Sequence, residues 1–283
     1  MIIEKLQEKS GFTSTEELLA NYILSHSDRV TRMTVRELAD AAFVSPPTVS
    51  RLCQKLGLDG FSRFKVAFSA ECTEIYQKMR QVDDNYPFSG SDTPREIVDK
   101  LSKLSVYHIL AAQENIDYDV LGKAARAICS RKFVDVYGMG LSLYSAFGFA
   151  EKMTRIGYVT TVIQDYGQQV YRAAVSTKDQ FAIVISHSGK MSKTLKVIQR
   201  LHERKVPTLL ITGNRVSPMI QYATYVGYIY SAENLAMQEK LDSFGSQMSL
   251  HFLLDCLFAV VFQRKYDEHI AISQRVVQGQ FDL

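Results

Sequence analysis

Five short runs rich in β-branched and aromatic residues follow one another after residue 116, and helix-length segments separate them. The runs are FVDVY at 133–137, YVTTVI at 158–163, FAIVI at 181–185, PTLLIT at 207–212 and YVGYIY at 225–230. Alternating strands and helices predict βαβ units, in which a parallel sheet is covered by helices on both faces. A last apolar segment, roughly 236–266, predicts a long helix, part of which covers the sheet while the rest is available to cover a second subunit.

The residues before this region show only helical periodicity, and a polar stretch divides the two parts. Residues 81–94, QVDDNYPFSGSDTP, collect the residue types that are typical of linkers. Thr93, Pro94 and Glu96 at its end form a capping box, which predicts that a helix begins there. We therefore expect an all-α domain at 1–80, a linker at 81–94 and an α/β domain at 95–283.

Composition and charge narrow the class of protein. The 283 residues are 46% hydrophobic and 22% charged, as in globular domains. The longest apolar run, Met248–Phe262, is interrupted by His251 and Asp255, and we expect it to be too short and too polar to span a membrane. We therefore predict a cytoplasmic protein without a membrane partner. Basic residues outnumber acidic ones between Arg29 and Lys65, which indicates a polyanion partner for one face.

Residues 33–58 hold two short helical patterns joined by Phe43-Val44-Ser45. Ser45 is a good N-cap, and two prolines fit the first turn of the second helix. An apolar face recurs at helical spacing in that helix, and the opposite face is polar. Arginine can read guanine and glutamine can read adenine in the major groove. The alternative is a plain helical hairpin. The candidate DNA-binding residues are Ser45, Pro47, Thr48, Ser50, Arg51, Gln54, Lys55 and Lys65, with the two lysines predicted to contact phosphates.

Two of the predicted strands run into loops that carry glycine and hydroxyl groups. Gly138-Met139-Gly140-Leu141-Ser142 follows the first strand, and Ser186-His187-Ser188-Gly189 follows the third. Ligands of open α/β sheets bind outside the carboxyl ends of the strands, so the loops are predicted to converge on one small anion. The alternative is a pair of ordinary turns. The third glycine of a dinucleotide fingerprint is replaced by Leu143, so no cofactor is expected.

The segment LADAAFVSPPTVSRLCQKLGLDGFSRFK resembles the helix-turn-helix of RpiR-type sugar-responsive transcriptional regulators. The segments VYGMGLSLYSAFGFAEKMTRIG and IVISHSGKMSKTLKVIQRLHERKVPTLLITGNRVSPM resemble a SIS (sugar isomerase) domain, with its GxGxS loop, SxSG loop and TxN…SP segment. RpiR-type regulators are similar to the whole chain, because they join these two modules in this order.

The resemblance implies a helix-turn-helix domain followed by a doubly wound domain, whose five-stranded parallel sheet has the flavodoxin-like strand order. It implies a transcriptional regulator that binds a double-stranded DNA operator as a homodimer or homotetramer. Its effector would be a phosphorylated sugar or amino sugar. The residues implied to hold that ligand are Gly138, Gly140, Ser142, Ser186, Ser188 and the backbone near His187 and Gly189.

The second loop departs from the family pattern at two positions. Met191 stands where a threonine is usual, and Lys193 stands where an acidic residue is usual. A thioether cannot donate a hydrogen bond to phosphate. A lysine nearby could substitute as a point charge. The alternatives are a different anion or a pocket that has lost its ligand.

Aldose–ketose isomerisation would need a positioned base. The titratable candidates are His187, Glu233 and Glu239. We expect Glu239 to cap the last helix or to bond sugar hydroxyls, and we predict neither a catalytic nor a metal site. Two alternatives stay open, a sugar-phosphate isomerase with an accessory helical domain and a regulator whose SIS domain only dimerises.

Overall fold

The computed structural model describes residues 1–231 and 240–281. The chain forms two compact units, one ending at Gln81 and the other beginning at Val82. Each unit has a hydrophobic core of its own.

The N-terminal unit is entirely helical in the described chain, as the sequence predicts. Its core includes three phenylalanines from the last helix, Phe61, Phe64 and Phe68. The fourth and fifth helices pack together, and the fifth also packs on the second and sixth. The helices are α1 (Ile2–Glu8), α2 (Ser14–Ser25), α3 (Ser27–Val30), α4 (Val35–Ala41), α5 (Pro46–Lys55) and α6 (Gly60–Arg80).

The C-terminal unit is a parallel sheet between two layers of helices. Its elements are α7 (Pro94–Asn115), α8 (Tyr118–Cys129), β1 (Phe133–Tyr137), α9 (Ser142–Arg155), β2 (Val159–Ile163), α10 (Tyr166–Val175), β3 (Gln180–Ile185), α11 (Ser192–Glu203), β4 (Thr208–Thr212), a 3₁₀ turn (Ile220–Tyr222), β5 (Tyr225–Tyr228), α12 (Gly245–Arg264) and α13 (Tyr266–Phe281). The strand order β2-β1-β3-β4-β5 is parallel throughout, so the predicted fold class and strand order are confirmed.

Side chains of each strand alternate between two cores. Ile183 and Ile185 of β3 lie in the core formed with α8, α9 and α12, while Val184 lies in the core formed with α10 and α11. This alternation follows from the two-residue period of a strand. It explains why the central strands are apolar on both faces and read as continuous hydrophobic runs.

Helix α7 begins where the capping box predicts. The hydroxyl of Thr93 accepts the backbone N–H of Glu96, and the Glu96 carboxylate accepts the backbone N–H of Thr93 at 2.8 Å. Pro94 occupies the first helical position, where no backbone donor is needed.

The predicted last helix is correct in type but not in extent. The sequence predicts its start at about residue 236, whereas α12 begins at Gly245. The segment before it, 240–244, is not helical, and 232–239 lie outside the described residues. Gly245 packs against the ring of His108, where any side chain on residue 245 would overlap the imidazole.

Helix α12 is longer and more apolar than the sequence analysis expects of the run Met248–Phe262. It is 20 residues long and is the one described helix that meets the length and hydropathy of a membrane span. Core helices of globular domains meet the same criterion. Here Leu250, Leu253 and Leu254 lie in the core, and α12 packs on α7, α8 and α9.

Candidate functional site

Helix α5 divides into a buried and an exposed face. Val49, Leu52 and Cys53 are buried in the core of the N-terminal unit. The exposed residues of the helix, all polar or proline, are Pro46, Pro47, Ser50, Arg51, Gln54 and Lys55. Two predicted base-reading side chains, Arg51 and Gln54, therefore lie on one accessible face.

Thr48 does not share that face, because it is only 3% exposed. Its hydroxyl lies 2.9 Å from the hydroxyl of Ser45 and accepts a hydrogen bond from Nη2 of Arg51 at 3.1 Å. Ser45 is the N-cap residue, but its hydroxyl bonds Thr48 and not a backbone N–H. Thr48 is therefore placed to orient Arg51 rather than to read a base itself.

The two lysines predicted to contact phosphates have partners within the unit. Nζ of Lys55 donates to Oε2 of Glu16 and to the carbonyl of Gly11, both at 2.7 Å. Nζ of Lys65 donates to the carbonyl of Met33 at 3.0 Å. The structure thus does not present Lys55 as a free cation beside Arg51.

Glu16 is almost fully buried and would be costly to ionise without its partners. Desolvation raises the pKa of this carboxyl, but hydrogen bonds from Lys55 and Thr13 outweigh it and hold the pKa below its ordinary value. Lys55 therefore stabilises a buried carboxylate that joins α2 to α5.

The first glycine loop of the C-terminal unit connects β1 to α9. Gly138 is buried, and a methyl group on it would lie 3.3 Å from the carbonyl oxygen of Ile185, at the end of β3. Gly140 has φ +60°, which favours glycine. Ser142 is the first residue of α9 and is buried.

Gln169 fixes this loop, and sequence reasoning did not nominate it. The side chain is buried, and its Nε2 donates to the carbonyls of Gly138 and Ile163, each at 2.7 Å. A glutamine on α10 thereby ties the first loop to the carboxyl end of β2. No motif marks it in the sequence, because its partners are backbone atoms of other elements.

The second loop connects β3 to α11. The hydroxyl of Ser186 is buried and has no hydrogen-bond partner among the described residues. Gly189 has φ +61°, and a methyl group on it would lie 2.5 Å from Oγ of Ser217 and 3.0 Å from Oγ1 of Thr212. Only glycine fits this position without displacing its neighbours.

The segment after β4 supports the second loop. Nδ2 of Asn214 donates to the carbonyl of Ser188 at 2.9 Å, and Oγ of Ser217 donates to the carbonyl of Gly189 at 2.7 Å. The backbone N–H of Gly213 donates to the carbonyl of His187 at 3.0 Å. These residues belong to the TxN…SP segment, whose supporting role the sequence reasoning did not identify.

The helices that follow the two loops have no side-chain cap. The N-cap residues are Leu141 for α9 and Met191 for α11, and neither can accept a hydrogen bond from the first turn as a serine or aspartate would. Lys193, in the first turn of α11, holds its Nζ 5.1 Å from the centre of the Tyr166 ring. In α9 the backbone N–H groups of Leu143 and Tyr144 already bond the carbonyls of Gly140 and Leu141, so it is the first turn of α11 that keeps backbone donors for another acceptor.

The structure brings the two loops together at one edge of the sheet. β1 and β3 are paired neighbours, and Tyr137 lies beside Val184 in the register, so Gly138 and Ser186 both follow the same edge. Ser142, Ser186 and Ser188 thus belong to adjacent loops. Glu239, predicted to cap a helix or bond a sugar, lies outside the described residues, as does Glu233.

Two protein-family models match the chain, one in each of its two units. Residues 2–74 match the helix-turn-helix domain of the rpiR family, and residues 127–254 match the SIS domain. The first match contains α4 and α5, and the second contains the sheet and both glycine loops.

Relatives match over nearly the whole chain. An uncharacterized HTH-type transcriptional regulator of Caldanaerobacter subterraneus is 27% identical over 92% of this chain and 89% of its own length. Another from Clostridium perfringens is 26% identical over 95% of both chains. The structure of Vibrio vulnificus NanR complexed with ManNAc-6P shares the fold, with a TM-score of 0.61 at 20% identity over 100% of this chain and 98% of that one.

A helix-turn-helix unit joined to a SIS domain defines a class of DNA-binding transcriptional regulators, not of enzymes, and the relatives matched over this length are named accordingly. Within that class, the chain belongs to the RpiR-type transcriptional regulators.

Proposed function

We propose that the chain binds a double-stranded operator through the exposed face of α5 and that a phosphorylated sugar or amino sugar, bound between the two glycine loops, modulates this binding. The observation that carries the effector site is the uncapped N-terminus of α11 beside the buried hydroxyl of Ser186, which has no hydrogen-bond partner among the described residues. Helix N-termini attract anions, and hydroxyl and backbone donors bind phosphate oxygens.

On the DNA side, the proposed contacts are those that the structure exposes. Arg51 and Gln54 read base edges, Ser45, Pro47 and Ser50 line the same end of the helix, and Thr48 orients Arg51. The proposed domain boundaries are 1–80 for DNA binding, 81–94 for the linker and 95–283 for sensing and dimerisation.

On the effector side, Ser142, Ser186 and Ser188 supply hydroxyls, while Gly138, Gly140 and Gly189 allow close approach to the backbone. The ligand of the Vibrio vulnificus neighbour, ManNAc-6P, is an amino-sugar phosphate and supports this ligand class. Met191 at the N-cap of α11 removes one hydroxyl that the family pattern would supply, which is worth about 1.5–3 kcal/mol for a hydrogen bond to a charged group.

The test is an effector titration of operator-bound protein by fluorescence anisotropy, with a panel of hexose and amino-sugar phosphates that includes ManNAc-6P. We expect Ser188→Ala to weaken the response while effector-free DNA binding stays within twofold of wild type. Ser130→Ala, at the end of α8, is the matched control and should respond normally. A Ser188→Ala chain that responds like wild type would place the phosphate elsewhere.

Met191→Thr tests the same site in the opposite direction. Threonine is a favourable N-cap and restores a hydroxyl beside the proposed phosphate, so we expect tighter effector binding in the same titration. Unchanged or weaker binding would show that the phosphate does not approach the first turn of α11.

We further propose that the C-terminal units pair, because a dimer brings two recognition helices to a palindromic site. Exposed apolar side chains on α7 and α9, both of which pack on α12, support this proposal, namely Val106, Ile109 and Leu110 on α7 and Tyr144 and Phe147 on α9. We expect the full chain to be a dimer or tetramer in light scattering and Phe147→Arg to shift it towards monomer. As a regulator of transcription, it would act in the cytoplasm.

A further inference from the structure

Phe43, in the turn between α4 and α5, is 94% exposed and is the most exposed large apolar side chain among the described residues. Its φ is +56°, in the left-handed region that residues other than glycine rarely adopt. A bulky aromatic side chain in this conformation is an outlier, and local folding does not explain why it is there.

The same turn occurs four times in the described chain and provides an internal comparison. In each, the N–H of a left-handed residue bonds the carbonyl three residues back, and the next N–H bonds the carbonyl five residues before it. This is the Schellman motif, which favours glycine. The left-handed residues are Phe43 after α4, Gly57 after α5, Gly157 after α9 and Lys205 after α11.

The side chain of Phe43 gains little from the fold. Glycine occupies the same position at residues 57 and 157, and Lys205 extends a charged group into water. A phenyl ring that is 94% exposed has almost no protein surface against it, so burial does not offset its backbone cost. The ring therefore weakens this turn relative to glycine, and its benefit must come from a contact outside the chain.

The position of Phe43 indicates the partner. Two residues further on, Ser45 caps α5, and Ser45, Pro46 and Pro47 are exposed beside it. In helix-turn-helix proteins the N-terminal end of this helix meets the base edges in the major groove. The apolar group available there is the C5-methyl of thymine, which phenylalanine can contact.

We propose that Phe43 is a further DNA-contacting residue whose ring packs on a thymine methyl group at the edge of each half-site. This inference rests on the proposed operator binding by α5. It adds an apolar, sequence-dependent contact to the polar reading by Arg51 and Gln54.

The experiment begins with a duplex that the wild-type chain selects from a random pool. Phe43→Gly and Phe43→Asn both remove the ring and suit a left-handed backbone. We expect each variant to bind the selected duplex about four- to tenfold more weakly, because a buried methyl group and part of a ring return to water. The thermal midpoint of Phe43→Gly should rise by about 3–5 °C as the backbone strain is relieved.

Replacing each thymine of the duplex by deoxyuridine, one at a time, locates the contact. One replacement should weaken wild-type binding about threefold or more and leave Phe43→Gly unaffected, since the two changes remove the same contact. Phe43→Leu should keep part of the thymine dependence.

Two control variants separate the contact from general effects. Lys205→Gly relieves the same strain in the C-terminal unit and should raise the thermal midpoint without changing DNA affinity. Leu18→Ala removes a side chain that is 60% exposed on α2 and should leave DNA binding unchanged.

Four outcomes would overturn the inference. The first is that Phe43→Gly binds the duplex within twofold of wild type, and the second is that its loss of affinity depends on no thymine methyl. The third is that the thermal midpoint of Phe43→Gly falls. The fourth is that the wild-type chain selects no sequence. Only the last also removes the proposed operator binding. If wild type selects a sequence and Arg51→Ala relaxes that selection, failure of the Phe43 variants counts against Phe43 alone.

Discussion

The recognition face of α5 and the cradle formed by the two glycine loops are built in opposite ways. On α5 the working side chains, such as Arg51 and Gln54, are exposed, and a single described contact orients Arg51. In the cradle, Gln169, Asn214 and Ser217 lie outside the two loops and hold them by hydrogen bonds to their backbone carbonyls. A helix that reads DNA needs only to be held rigidly by the core it packs on. A phosphate site must instead fix several backbone donors at once.

This difference predicts where substitutions are most damaging. In the cradle, changes at supporting residues should weaken the effector response by altering the shape of the loops. On α5, changes at Arg51 and Gln54 should alter DNA affinity and leave stability nearly unchanged.

The largest expected effect is that of Gly189→Ala. The new methyl group would lie 2.6 Å from Cβ of Ser217, at a left-handed φ of +61°. Strain and overpacking together should cost about 2–4 kcal/mol of unfolding free energy. We expect a lower thermal midpoint and no measurable effector response.

Gly140→Ala is the matched control for this change. Gly140 has nearly the same φ, +60°, but a methyl group there would meet no atom within 4 Å. The expected cost is only about 1 kcal/mol. Equal destabilisation by the two substitutions would show that backbone strain, and not the support from Ser217, governs the second loop.

Arg51→Ala should have the next largest effect, on DNA binding alone. A guanidinium that bonds a guanine contributes about 1–3 kcal/mol, so operator affinity should fall roughly tenfold to a hundredfold and sequence preference should relax at one position. Thermal stability should not change measurably. Normal operator binding in anisotropy titrations would contradict the assignment of the recognition face.

Asn214→Ala should weaken the effector response through the loop that Asn214 supports. It removes the bond to the Ser188 carbonyl and leaves that loop free to move, for an expected loss of about tenfold in effector affinity by calorimetry. Asn115→Ala removes a side chain that bonds Arg215 and should leave the affinity unchanged. Equal losses in both variants would indicate a general effect on the edge of the sheet.

The sequence predicts much of this molecule because its strongest patterns are local. The five strands, their parallel arrangement and the capping box at Thr93 depend on residues close together in the chain, and all three are confirmed. The two loops are identifiable for the same reason, since glycine and serine follow the apolar runs directly. Their convergence follows from the rule that parallel strands end at one edge.

The features that the sequence does not predict depend on distant partners. Helical periodicity places Thr48 at the flank of the polar face, but only packing shows that its hydroxyl is buried between Ser45 and Arg51. Gln169 looks like any polar helical residue until its two carbonyl partners are known. The first residue of α12, Gly245, lies against the ring of His108, which is far away in the chain.

The smallest expected effect separates the two lysines that the sequence assigns to phosphates. Lys55 is held by a buried carboxylate, whereas Nζ of Lys65 donates to the carbonyl of Met33 and lies 5.4 Å from the centre of the Phe61 ring, contacts that it can exchange for a phosphate. Lys65→Met should therefore lower the dependence of log affinity on log salt by about one, and Lys55→Met should leave it unchanged. A lower salt slope for Lys55→Met would show that Lys55 leaves Glu16 on binding DNA.

The cost of Lys55→Met should appear in stability instead. The pKa of Glu16 is held low in the folded chain, so the carboxylate contributes stability above its unfolded pKa and loses it as the pH falls through the folded value. Since Lys55 is 39% exposed, solvent screening limits the expected loss at pH 7 to about 1 kcal/mol. The difference between wild type and Lys55→Met in urea unfolding should shrink as the pH falls through the lowered pKa of Glu16, because the carboxyl is then protonated in wild type as well. A difference that persists at low pH would mean that Lys55 acts through its hydrogen bond to the carbonyl of Gly11, and the Glu16 carboxylate would then carry no part of the link between α2 and the recognition helix.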